Sequence, residues 1–339
     1  MDVDAEPTTP NHVEGLWFED GNLVIQAGSS QFRVYRGILA ARSPVFQDML
    51  SIPQPADAEL VDGCPLVRLP DSENEVTVFL KAIFLPQFFR PFPIKTEFDI
   101  IAGCLRLSHK YGVDYLRRRA LVHLSSGYRT SLTEADNTYH ESNPTRPAVE
   151  IDSWPAPASH SYKIHVIQLA REVEAPWILP LAFYQLSGSC NLLGRDIYHG
   201  TVYNGVHTAL SVADQEAFLK GHNLQILSAS MDILAFLTDP LTIDVCVSIG
   251  DCNMERQNIM PSVREDLRHY PSDPLWATWI AEDWEKLDGV CPPCLAILKE
   301  THQAARRAFW DQLPEMYGLP PWEELEAIKT AAIGDDWFA

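Results

Sequence analysis

The run FEDGNLVIQAGSSQFRVYRGILAARSPVFQDML, from Phe18 to Leu50, constrains the fold of this chain more tightly than any other segment. Leu23, Val24 and Ile25 are strand formers, and Ala27-Gly28-Ser29-Ser30 reads as a turn. Phe32 and Val34 alternate with Arg33 and Tyr35 as the residues of a half-buried strand do. The pattern predicts a hairpin. Ile38 and Leu39 then open a short apolar helix, and Ser43-Pro44 puts a good N-cap residue directly before a proline at the first helical position. Val45, Phe46, Met49 and Leu50 share one face of the helix that follows.

The next elements are read the same way. Ser51 to Cys64, rich in Pro, Ala, Asp and Gly, reads as a loop, and Pro65 to Leu69 as a short strand. Ser72 with Glu75 three residues on is a capping-box signature, and Val76, Phe79, Leu80 and Ile83 follow at helical spacing. Leu85 to Thr96 holds three prolines and three phenylalanines and reads either as a binding lip or as a surface packed on a second domain. Phe98, Ile101, Ala102 and Leu105 restore the helical period, Gly112 supplies a stop, and Asp114 is the expected cap of a helix carrying Leu116, Ala120 and Leu124. Arg117, Arg118 and Arg119 form a basic cluster that reads as a solvated face, as helix-end charge compensation or as a dock for an acidic partner.

Asp20-Gly21, Phe32, Leu39, Ala40, Ser43 and Phe46 together resemble the opening motif of a BTB/POZ domain, with Tyr35 standing where that family carries a histidine. The segment from Leu105 to Leu116 resembles the paired helices that close such a domain, and Leu39 to Phe46 is most similar to a fungal group with an N-terminal BTB domain and a long helical C-terminal region. The resemblance implies an α+β fold, a small sheet with helices, over residues 16–127. It also implies self-association or binding to a scaffold, with a cullin-type ubiquitin ligase as one such scaffold, docked through the helices Val76 to Phe84 and Phe98 to Tyr111. Many strand-swapped BTB dimers carry a helix and strand ahead of the hairpin, whereas only a short polar stretch precedes Leu16 here.

Residues 128–161 are polar and proline-containing and read as a linker, with a short helix at Leu132 to Asn137. Residues 162–339 read as a mainly α-helical domain. Ile164, Ile167 and Arg171 mark one helix, Pro176 opens another, Ser211 precedes a third, Ile226 to Leu237 reads as a buried helix, and Leu295 to Trp310 as a long one. Trp276, Trp279 and Trp284, at helical spacing, read as core.

Composition narrows the function classes. With 339 residues and 46% hydrophobic content the chain is long enough for two domains with real cores. Its 26 Lys and Arg against 46 Asp and Glu give a net charge of -20, which disfavours direct binding to nucleic acid or to an anionic membrane. No stretch has the length and apolarity to span a bilayer, and the acidic N-terminus lacks the pattern of a secretory signal, so the expected location is cytoplasm or nucleus.

Seven unevenly spaced cysteines argue against a disulfide framework. Cys64, Cys104 and Cys190 stand alone and read as buried small hydrophobes. Cys246, Cys252, Cys291 and Cys294 form two close pairs, and two thiol pairs can close a tetrahedral shell around one structural zinc ion. Free buried thiols and a redox pair at Cys291 and Cys294 are the other readings. His222, His269 and His302 are further ligand candidates, each with an ordinary surface or core reading beside it. Ser187-Gly188-Ser189-Cys190 reads as a turn, having no histidine assigned to it, and Asp335 to Phe338 as a frayed tail or a docking peptide. No phosphate loop or hydrolase motif is present, so the expected function is that of a non-enzymatic adaptor in protein–protein interaction. A transcriptional cofactor without direct DNA contacts and a cysteine-dependent redox enzyme are the alternatives.

Overall fold

Five strands build the sheet of the N-terminal unit: β1 (Asn11–Trp17), β2 (Leu23–Ala27), β3 (Ser30–Val34), β4 (Leu60–Val61) and β5 (Cys64–Arg68), in the order β1-β3-β2-β5-β4. The antiparallel hairpin of β2 and β3 closes with Ala27 opposite Ser30, so Gly28 and Ser29 make the turn, and Gly28 has φ 54°. The Glu73 carboxylate accepts from both the backbone N–H and the hydroxyl of Ser29 at 3.0 and 2.9 Å, tying the turn to the helix beyond. β5 lies parallel to β2. β1 was not expected: its polar sequence conceals a strand that runs parallel to β3 along the sheet edge, with an irregular register between His12 and Trp17.

Residues 11–52, 59–141, 154–188, 194–239, 246, 248–269 and 271–334 are described in this computed structural model. The chain divides into two compact units, one of residues 1–127 with 152–156 and 332–339, the other of residues 128–151 with 157–331. It is mixed in class, with a small N-terminal sheet and a helical remainder. No helix among the described residues is long and apolar enough to cross a membrane.

In the first unit, α1 (Arg36–Arg42) and α2 (Pro44–Ser51) meet at Ser43, whose Oγ accepts from the Phe46 N–H at 2.9 Å and donates to the Tyr111 carbonyl. Phe32, Leu39, Ser43 and Phe46 are all buried, and Phe46 stacks on Tyr111 with ring centroids 4.7 Å apart. Tyr35 donates to Asp20 at 2.6 Å and leans on Phe18 and Phe84, so an aromatic body with one polar tip is satisfied at both ends. α3 (Glu73–Phe84) starts at Ser72, which caps the Glu75 N–H, and the Glu75 carboxylate pairs with Arg106. α4 (Phe98–Tyr111) is buried along most of its length and ends on Gly112, left-handed at φ 68°.

Asp114 is the first residue of α5 (Asp114–Ser126), not its cap: Val113 holds the N-cap position, and the carboxylate acts on the helix dipole. The three arginines have partners inside this unit. Arg117 Nε donates to His109 Nδ1, Arg118 to the Ile333 carbonyl and Arg119 to the Phe89 carbonyl. In the Leu85 to Thr96 segment, Phe89 is 1% exposed and packs on His123 of α5, which also engages the Arg90 carbonyl. That loop therefore contributes core to its own unit. Trp154 packs on Phe98 in the same unit.

The second unit begins with α6 (Leu132–Glu141), which is longer than the expected turn of helix; Asp136 pairs with Arg306 and accepts from Trp276 Nε1, so part of the presumed linker is structural. There follow α7 (Tyr162–Glu172), α8 (Leu179–Ser187) behind a short 3-10 turn at Pro176–Ile178, and α9 (Gly194–His199). A hairpin interrupts the helices, with β6 (Thr201–Tyr203) antiparallel to β7 (Val206–Thr208). Asn204 and Gly205 both have positive φ, 48° and 80°, which is the two-residue turn that Asn-Gly favours between short apolar strands.

α10 (Val212–Ser228) is capped by Ser211, as expected. The apolar run Ile226 to Leu237 is not one buried helix: α10 passes through a π-turn, Ala229–Ile233, into α11 (Ala235–Thr238), leaving Leu227 and Met231 53% and 68% exposed. α12 (Ile249–Asn258) and α13 (Met260–His269) come next. Trp276 and Trp279 are buried but lie in turns, and Trp284 sits in a 3-10 segment, Ala281–Leu287. α14 (Pro292–Met316) and α15 (Trp322–Ile333) complete the chain's helices.

Two predictions follow the caps and the core. Ser43→Ala removes a side-chain cap and a buried hydrogen bond at once, and is expected to cost about 2 kcal/mol in urea unfolding. His302 is buried against Phe236 and Trp284, and burial, aided by Arg306 and opposed by Asp136, pulls its pKa from 6.5 to about 4. The unfolded chain therefore takes up this proton first, so the histidine's contribution is full above pH 6.5 and is lost as pH falls towards 4. The stability lost between pH 7 and pH 5 is expected to be smaller by about 2 kcal/mol in His302→Phe than in the natural chain.

Candidate metal centre

Cys246 precedes α12, Cys252 lies in its first turn, Cys291 is the N-cap of α14 and Cys294 lies in the first turn of α14. Pro292 and Pro293 occupy the first two positions of α14, where a missing N–H costs nothing and a fixed φ starts the helix. They direct both sulfurs of Cys-Pro-Pro-Cys to one side. The Cys291 N–H donates to the Cys252 sulfur at 3.4 Å, joining the two helix starts.

The four sulfurs lie within 4.8 Å of one another. Cys246 Sγ is 3.8 Å from Cys252 Sγ and 3.8 Å from Cys291 Sγ. A disulfide would require about 2.05 Å, so these are free thiols. Metal–sulfur bonds of about 2.3 Å in a tetrahedron put neighbouring sulfurs about 3.8 Å apart. The two 3.8 Å spacings thus equal the edge of one coordination tetrahedron, and no other pair of these sulfurs exceeds 4.8 Å. Cys252 and Cys294 are buried and Cys246 and Cys291 half-buried, so the cluster sits at the rim of a core and a metal could enter from outside.

Electrostatics favour an anionic sulfur at Cys291. The Cys294 N–H, free at the helix start, donates to the Cys291 sulfur and, despite opposing desolvation, brings its pKa down to about 7. Burial pushes the Cys294 thiol up, with the neighbouring sulfurs adding to the effect. One thiolate is therefore easily formed, and a cation would draw off the protons held by Cys252 and Cys294.

Arg256 is the residue that pattern reading missed. It is 4% exposed and lies one helical turn after Cys252, on the same face of α12. Its guanidinium donates to the carbonyls of Phe236 and Asp239 and to Asn253 Oδ1, and no carboxylate pairs with it among the described residues. Burial lowers its pKa, while the nearby Cys294 and Cys252 sulfurs and Asp239 raise it. An arginine buried without a direct ion-pair partner is costly. A metal ion held by four thiolates carries net charge of about −2, and that dianion would balance Arg256. The i+4 spacing from Cys252 was the signal available in the sequence.

Around the site lie Leu234, Phe236, Leu237, Val263, Trp279, Leu287, Val290 and Leu298, which form one apolar cluster with Cys252 and Cys294. The other candidates are elsewhere. Cys64 and Cys104 are buried singly, His302 packs among aromatics, and His222 meets Ser187, its Nδ1 lying 2.6 Å from the Ser187 oxygen. Cys190, the side chain of His269 and the Asp335 to Phe338 tail lie outside the described residues. A scan against protein-family models finds no match to this chain, and searches of curated proteins and of solved structures also find none.

If the cluster holds a metal, a strong chelator is expected to lower the melting temperature of the full chain by more than about 4 °C, the shift that corresponds to a loss of 1 to 2 kcal/mol. The Cys291→Ser, Cys294→Ser double variant is expected to melt lower from the start and to show no chelator effect. Equal melting with and without chelator in the natural chain would remove the metal from the account.

Proposed function

We propose that this chain is a non-enzymatic protein-interaction adaptor whose first unit is a BTB/POZ-type association module and whose second unit recognises a target protein, held in shape by one structural zinc ion. The observation that carries the reading is that the motif side chains Phe32, Leu39, Ser43 and Phe46 are all buried, with Ser43 and Phe46 meeting Tyr111 at the end of α4. The motif residues and the order of elements support the same family resemblance independently. That resemblance makes a cullin-type ubiquitin ligase the scaffold to test first. α4 offers it limited surface, with Asp99 and Lys110 exposed and Ile100, Arg106 and His109 half-buried.

Zinc is the metal that suits the cluster. Four soft thiolates at tetrahedral spacing select it among common divalent ions, and four protein ligands leave no position for a reacting water. Its role is therefore to stabilise.

Target recognition is assigned to the second unit on its surface chemistry. Leu224, Leu227 and Met231, at helical spacing along α10 and the turn after it, are 38%, 53% and 68% exposed. Apolar side chains grouped in this way mark interaction surfaces more often than solvated faces.

Affinity capture with the full chain tests the division of labour. A Leu227→Glu, Met231→Glu variant is expected to lose the target and keep the scaffold held by the first unit. Identical capture by both chains would contradict the assignment, and chromatin association without a scaffold would favour a transcriptional cofactor.

A further inference from the structure

The four sulfurs of the cysteine centre are alike in chemistry and unlike in access. Cys252 and Cys294 are 4% and 2% exposed and belong to the apolar cluster, whereas Cys246 and Cys291 are half-buried and pack against it from outside. The outer two are also neighbours. Their sulfurs lie 3.8 Å apart, although 45 positions separate them in the sequence. A reagent dissolved in water therefore meets Cys246 and Cys291 first, and meets them as a pair.

Sulfur that binds a metal is thiolate, the form that attacks peroxides. Once one sulfur has become a sulfenic acid, a second thiolate within reach condenses with it. The gap to be closed here, from 3.8 Å to the about 2.05 Å of a disulfide, is within the range of side-chain rotation. Cys252 is equally near to Cys246, but it is buried, and its sulfur is held by the Cys291 N–H at 3.4 Å.

We propose that Cys246 and Cys291 form an oxidation site for hydroperoxides, at which the two sulfurs are joined in a disulfide and any metal they hold is released. In the first step one thiolate attacks the peroxide, an S–O bond forms as the O–O bond breaks, and hydroxide or alkoxide leaves. In the second the other thiolate attacks that sulfur, the S–S bond forms as the S–O bond breaks, and hydroxide leaves. Two electrons pass from the sulfur pair to one peroxide, and either sulfur can begin. Cys252 and Cys294 alone leave half of a four-coordinate shell open, so the ion goes into solution. The release of metal rests on the zinc reading above, whereas the disulfide depends only on where the two sulfurs lie. Oxidation acts on the unit assigned to target recognition: Phe236 and Leu237 of α11 belong to the same apolar cluster, and α11 follows the π-turn that carries Met231.

The test treats the full chain, its zinc content measured beforehand, with hydrogen peroxide and follows released zinc with a chelating dye. Free thiols are then blocked with N-ethylmaleimide, and the digested chain is mapped by mass spectrometry. The expected result is zinc release in step with peroxide consumed, a cross-link between the peptides of Cys246 and Cys291, maleimide on Cys252 and Cys294, and renewed zinc binding after dithiothreitol. Cys246→Ser removes the second thiolate, and its Cys291 is expected to run on to the sulfinic acid. Zinc retained through the treatment, a disulfide through Cys252 or Cys294, or sulfinic acid at Cys291 of the natural chain without the cross-link would each overturn the proposal. In a chain isolated without zinc the same map decides: the Cys246–Cys291 cross-link supports the oxidation site and its absence overturns it, while the missing metal counts against the zinc reading alone.

Discussion

A buried guanidinium with no direct carboxylate partner among the described residues sets the terms for the middle of the helical unit. Arg256 uses its donors on two backbone carbonyls and an asparagine, which satisfies its hydrogen bonds, while Asp239 acts on its charge without pairing with it. Besides the exposed Asp239, the groups that act on its charge are the buried sulfurs of Cys294 and Cys252. As thiols they supply no negative charge. As ligands to a divalent cation they supply a dianion, so the proposed zinc solves the arginine's problem and the arginine solves that of a buried thiolate cage. The apolar cluster around them joins the short helices α11, α12 and α13 to α14.

The two units solve the problem of order differently. The first relies on local rules that agree with one another: a turn glycine, a serine cap before a proline, a left-handed stop at Gly112 and a buried face on each helix. Its polar groups then cross-link these elements, among them Ser43 to the Tyr111 carbonyl and Glu73 to the hairpin turn. The second has more irregular backbone and uses long-range polar contacts such as Asp136 with Arg306 and Gln225 with Tyr317. Networks of that kind rigidify when every member is satisfied.

What could be read from the sequence divides along the same line. Caps at Ser43, Ser72 and Ser211 were legible because a cap is a matter of three or four neighbouring residues. The four metal-ligating candidates were legible as two short spacings, although only the fold brings Cys246 within reach of Cys291. The Asn204-Gly205 hairpin carried its signal openly and was overridden by the helical pattern on either side. β1 gave no signal, since an edge strand needs hydrogen bonds more than apolar side chains. Ile226 to Leu237 misled because apolarity does not say which face turns inward. The meeting of Ser187 and His222, 35 residues apart, is a product of helix packing that no local pattern encodes.

X-ray absorption at the zinc edge on the purified full chain tests the central claim most directly. The account predicts one zinc per chain with four sulfur neighbours at about 2.3 Å and no oxygen or nitrogen in the shell. A metal-free chain, or zinc bound through oxygen or nitrogen ligands, would contradict it.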